Sequence, residues 1–139
     1  MKTLTVCQPY ASAIIEGIKT VENRTWKTNY RGPLVIHAGK SMAWFNKIPF
    51  HQLELMKTFW PYDQLHMGKI LGIIDLVDIV KGNFETQTKL FDIKDGETLE
   101  TDPFVTGPYC WMLENPIKLK EPFPYKGQMK LFDIPIFDL

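Results

Sequence analysis

The chain has 139 residues, 45% apolar and 23% charged, with sixteen basic side chains balancing sixteen acidic ones. That size suits one domain with its own core, so a single domain over residues 1–139 is expected. Zero net charge gives no overall pull toward nucleic acid, two cysteines (Cys7 and Cys110) cannot build a disulfide framework, and no apolar run nears the roughly 20 residues that cross a bilayer.

Leu4-Thr5-Val6 reads as a short strand lying so close to Met1 that no secretory leader, and hence a cytoplasmic location, is expected. Pro9 suits the first turn of a helix, because its missing N–H would be unsatisfied there anyway. Tyr10, Ala13, Ile14 and Gly17 follow at helical spacing, and Gly17 is a natural stop that tolerates positive φ. Val21 to Trp26 then reads as a strand and Asn29 to Pro33 as a turn. Leu34-Val35-Ile36 is an unbroken apolar run, expected as a central strand covered on both faces, with His37 emerging at its end.

Phe50, Leu53, Met56 and Trp60 recur at helical steps, predicting an amphipathic helix over 49–60, and residues 41–45 can add a helical turn. Gly68 to Val80 is β-rich, with Gly72 a candidate bulge or point of close backbone approach. Residues 83–102 are polar and weakly patterned, and read as a surface excursion. Tyr109 to Leu113 is a further buried strand. The prolines at 116, 122, 124 and 135 are expected to confine the tail to short edge strands and turns. About six strands with two or three inserted helices make an α+β, strand-dominated chain, which suits a small, partly closed barrel.

Charge is unevenly placed. Residues 1–41 carry six basic and two acidic side chains, a net of +4, whereas residues 82–102 carry two basic and six acidic ones, a net of −4. A basic face and an acidic loop steer an anionic ligand to one side, or they are two unrelated solvated faces. Both arginines, Arg24 and Arg31, fall in the basic stretch.

Within that stretch Thr20, Glu22, Arg24 and Trp26 alternate, so an extended strand projects all four to one side, as a cleft requires. Two readings of Glu22 and Arg24 stand together. They form an ion pair holding strands in register, or Glu22 accepts a base amine while Arg24 and Lys19 meet phosphate or a carbonyl. Trp26 and Tyr30 are placed to stack an unpaired base, against the general tendency of aromatics to be core. His37 either serves the cleft or packs with one nitrogen satisfied, and Lys40 is placed to touch a phosphate. Trp44, Phe45, Phe50, Phe59 and Trp60 read as packing. His37-Ala38-Gly39-Lys40-Ser41 ends like a phosphate loop, but position 34 is Leu where that motif needs Gly. No His or Cys pair has zinc spacing, and no serine or cysteine nucleophile motif is present, so no metal and no cofactor are expected.

The run QPYASAIIEGIKTVENRTW followed by YRGPLVIHAGK resembles the activating signal cointegrator homology (ASCH) domain, a PUA-like family. Its mark is G-x-K-x-x-E-x-R, here Gly17, Lys19, Glu22 and Arg24. Gly68-Lys69-Ile70-Leu71-Gly72, Gly107 to Trp111, Leu113 to Pro116 and Lys126-Gly127-Gln128 fit as well. The resemblance implies a PUA-like partly closed barrel. It also implies binding of single-stranded nucleic acid, RNA preferred, or of a modified nucleotide. The expected cleft is bounded by the helix end at Gly17, the Lys19–Trp26 strand and the His37–Lys40 turn, and is lined by Lys19, Glu22, Arg24, Trp26, Tyr30, Arg31, His37 and Lys40. Some relatives resemble amidohydrolases that deacylate the exocyclic nitrogen of cytidine through the motif lysine and a threonine three residues later. In that alternative Lys19 and Glu22 are catalytic, although Glu22 stands where the threonine belongs. Ribonuclease activity and a protein-interaction adaptor are further alternatives.

Overall fold

The computed structural model describes residues 1–41, 54, 65–82 and 108–135. The expected helix over 49–60, the packing aromatics at 44, 45, 50, 59 and 60, and the acidic excursion over 83–102 lie outside them, apart from Glu54, which is helical. In chain order the elements are β1 (Lys2–Val6), α1 (Tyr10–Ile15), β2 (Val21–Arg24), β3 (Gly32–Ala38), β4 (Lys69–Lys81), β5 (Tyr109–Pro124) and β6 (Leu131–Asp133). Among the described residues six strands form one curled, half-barrel sheet in the order β2-β5-β4-β3-β1-β6, strand-dominated as expected. Among the described residues the helices reduce to α1 and the single residue Glu54.

β1 and β3 pair in parallel and every other neighbour is antiparallel. β3 is central, and Leu34 to Ala38 are all buried, as an uninterrupted apolar strand requires. Its alternate side chains feed two cores. Leu34, Ile36 and Ala38 join Leu4, Val6, Trp111 and the apolar face of α1 (Ala11, Ile14, Ile15). Val35 joins Ile70, Phe132 and Ile134 on the other face.

β4 bulges at Gly72. Ile36 pairs Gly72 while His37 pairs Ile70, leaving Leu71 as the extra residue, so Leu71 and Ile74 share the α1 face despite odd spacing. A Cβ on Gly72 would lie 2.3 Å from the Ile117 carbonyl oxygen, the close approach expected there.

Two expectations are corrected. The prolines do not break the tail into short strands: β5 runs 16 residues through Pro116 and Pro122. Both prolines fall where the β4–β5 register slips, between Glu114 and Ile117 and between Lys118 and Phe123, so the ladder asks neither for an N–H. The strand from Val21 stops at Arg24, so Trp26 lies beyond it and not on its alternating face.

Candidate functional site

The end of α1 aims the first functional side chain. Gly17 takes φ +79°, its N–H bonds Ile14 O at 3.1 Å, and Ile18 N–H bonds Ala13 O at 3.0 Å. This is a Schellman motif, which a residue other than glycine adopts at a cost. Lys19 N–H then bonds Ala13 O as well, so the chain folds back under the helix and buries the Lys19 side chain. Its Nζ donates to Val21 O, lies 3.4 Å from Glu22 Oε1 and sits 5.4 Å from the centre of the Tyr10 ring.

Glu22 pairs with Trp111 across β2 and β5, and so shares the α1 face of the sheet. Its Oε2 accepts Arg24 Nη2 at 2.8 Å and its Oε1 accepts Asn23 N–H at 3.2 Å. Arg24 Nη2 also donates to Thr5 O at 2.8 Å, one residue past Leu4, where the β1–β6 ladder ends. Arg24 Nε is buried without a partner among the described residues. The Lys19 and Glu22 side chains are only 3% and 10% exposed, and among the described residues the cluster holds two cations to one anion. Burial pushes the Glu22 pKa up, but Lys19 and Arg24 together outweigh it and hold the carboxyl below its ordinary range. Cys7, half-buried after β1, feels the same charges. Burial first, then the Glu22 carboxylate, raise its thiol pKa to about 11 against the opposing pull of Arg24 and Lys19.

Trp26 is half-buried and meets Trp111 edge-on, centroids 4.9 Å apart, while Trp111 Nε1 donates to Trp26 O. Lys130 Nζ lies 5.9 Å from the centre of the Trp26 ring. Lys19, Glu22 and Arg24 are therefore brought together, with Trp26 packed on the same core.

The remaining expected residues are placed elsewhere. Tyr30 donates its hydroxyl to Pro33 O, and Arg31 Nη1 donates to Thr28 O and Tyr30 O at 2.8 Å each, with Nη2 3.6 Å from Asp78. Both hold the turn before β3, and from Gly32 to His37 is roughly 17 Å at strand rise. His37 sits on the opposite face of the sheet from the cluster, facing Phe132. Its Nε2 meets Tyr125 O at 2.7 Å and its Nδ1 meets Thr5 Oγ1 at 3.0 Å. A carbonyl only accepts, so Nε2 carries the proton and Nδ1 accepts from the threonine. Burial lowers the His37 pKa and the Lys40 charge adds to this, against the bond to Tyr125.

His37 and Lys40 line an open groove of about 850 Å³ with Thr5, Lys69, Tyr125 and Lys126 among its other walls. The single expected cleft is thus two sites on two faces, joined through Thr5. Thr5, Cys7 and Tyr125 carry no local motif, and only the long-range pairing of β1, β3, β4 and β5 brings them in. Among the described residues, no three His, Cys, Asp or Glu side chains stand close enough to hold a metal ion.

The ASCH domain model matches residues 4–123. Activating signal cointegrator 1 of Homo sapiens and of Mus musculus are each 31% identical to the chain over 94% of its length, and the chain spans 22% of theirs. A crystal structure of a mutant form of the ZmASCH protein from Zymomonas mobilis superposes with TM-score 0.55 over 97% of this chain and 90% of that one, at 14% identity, a likeness of fold. The chain belongs to the ASCH domain family.

Proposed function

We propose that the chain binds single-stranded nucleic acid, RNA preferred, or a modified nucleotide, with the Lys19–Glu22–Arg24 cluster reading a base. One observation carries this. Arg24 Nε is buried unpartnered among the described residues, beside an Nη2 that already serves Glu22 and Thr5. A purely structural ion pair gains nothing from a guanidinium N–H that is buried without an acceptor, since such a donor is costly to desolvate. A base carbonyl or a phosphate oxygen supplies the missing acceptor, and Arg24 presents its donors in a planar fork suited to it. Trp26, two residues on and half-buried, offers a ring that would cover an unstacked base.

The test is titration of short labelled RNA and DNA strands with wild type and Arg24→Lys, which keeps the charge and loses the fork. Saturable RNA binding that weakens at least tenfold in the variant supports the reading. Equal binding by both proteins removes Arg24 from recognition. The deacylase alternative draws less support, because the Lys19 side chain is 3% exposed and its amine is already engaged by Val21 O and Glu22. Release of cytidine from N4-acetylcytidine by wild type but not by Lys19→Ala would restore it.

A further inference from the structure

The groove on the other face belongs to none of this chemistry. It lies where three chain segments meet: Gly39–Lys40 after β3, Met67–Lys69 at the start of β4, and Pro124–Gly127 at the end of β5. Its charged lining side chains are Lys40, Lys69 and Lys126, and no carboxylate lines it among the described residues. None of these three lysines is in an ion pair with a described residue, a state they share with other surface lysines such as Lys81 and Lys130; what sets them apart is that they converge on one concavity. Three like charges around one concavity repel each other, and burying a carboxylate among them would have been the simple remedy. Their walls are also tied. Tyr125 N–H bonds Gly68 O at 3.1 Å, Tyr125 O accepts from His37, and His37 accepts from Thr5. The Lys40 stem lies flat on Gly68, where an added Cβ would come within 2.5 Å of Lys40 Cε. The volume of about 850 Å³ is in the range that holds a nucleotide-sized ligand.

We propose that this groove is a phosphate track, in which Lys40, Lys69 and Lys126 take a run of phosphate groups, from the backbone of a single strand or from a free polyphosphate. For the strand it rests on the nucleic-acid reading above; for the anion it does not. Lysines suit this task as mobile point charges that follow a backbone without reading its bases.

The test uses the full chain and two probes, a labelled six-nucleotide RNA and inorganic tripolyphosphate. The proteins are wild type, the combined variant Lys40→Gln/Lys69→Gln/Lys126→Gln, and a charge-matched control, Lys2→Gln/Lys81→Gln/Lys118→Gln. Each phosphate contact to a single strand contributes about 0.7 to the slope of log affinity against log salt, so the groove variant should lose about 2 units of slope. The control should keep nearly all of it, and tripolyphosphate binding should fall at least tenfold in the groove variant alone. RNA binding with an unchanged slope in the groove variant overturns the track and leaves recognition with Arg24. Tripolyphosphate binding without RNA binding keeps the anion groove and removes the nucleic-acid reading. Binding of neither probe by wild type overturns the track.

Discussion

The two basic sites of this molecule handle charge in opposite ways. On the α1 face, Lys19 and Arg24 are held against Glu22 and the carbonyls of Val21 and Thr5. On the other face, Lys40, Lys69 and Lys126 surround an open groove with no counter-charge among the described residues. Buried cations need partners to exist at all, so the first site is as much a part of the fold as of any binding surface. Solvated lysines cost the fold little, so the second can be given over to a ligand. Removing charge should therefore cost stability along with affinity on the first face and affinity alone on the second.

The largest stability effect is expected for Glu22→Ala, which leaves the buried Lys19 and the part-buried Arg24 without their carboxylate and should cost about 3–5 kcal/mol in denaturant unfolding. Lys69→Gln should stay within about 0.5 kcal/mol of wild type in the same measurement. A Glu22→Ala cost below about 1 kcal/mol would erase the distinction between the faces. Gly127→Ala comes next. The added Cβ would stand 2.8 Å from His37 Cε1 and 2.9 Å from Thr5 Oγ1, so overpacking should cost about 1–3 kcal/mol while the groove wall shifts. Calorimetry beside tripolyphosphate titration reads both.

A smaller effect comes with pH. The folded pKa of His37 is lowered from 6.5, so below that value the unfolded chain binds the proton more readily than the native one. Stability is full above about pH 6.5 and is lost as pH falls toward the depressed folded value. Glu22, lowered from 4.5, adds its own loss only at more acid pH. Melting temperature should therefore drop between pH 7.5 and 5.5, and His37→Gln should flatten that part of the profile. An identical slope in the variant would assign the drop to another group. No stability change is involved in the last prediction. With its pKa raised to about 11, Cys7 should be alkylated at pH 8 on the order of a hundredfold more slowly than a free thiol. Rates matching free cysteine would mean that burial and the Glu22 charge do not raise its pKa.

Local physics made the first site readable from the amino acids. A glycine at a helix end and a lysine two residues later, followed by a strand alternating Glu and Arg, lie within eight residues of each other, and Gly17 and the cluster are where that pattern puts them. Alternation overreached at Trp26 because the strand is only four residues long, although ring packing on Trp111 keeps the indole on the same core. The groove was not legible. His37 and Lys40 stood in view, but their partners Lys69 and Lys126 arrive through the β3–β4 and β4–β5 ladders, whose register depends on bulges at Gly72 and around Pro116 and Pro122. A proline in a sequence signals a broken ladder, and nothing local says that the partner strand slips to accommodate it.

Arg24 does more than face a ligand. β2 stands first in the sheet order and β1 fifth, so the curl of the sheet brings two strands together that share no ladder. A guanidinium reaching from β2 to the Thr5 carbonyl spans them. The girth of the half-barrel is thus set at that seam by the length of a side chain, a clasp rather than a weld. Arg24→Ala, which cannot reach the Thr5 carbonyl, would leave the strands intact and let the seam widen.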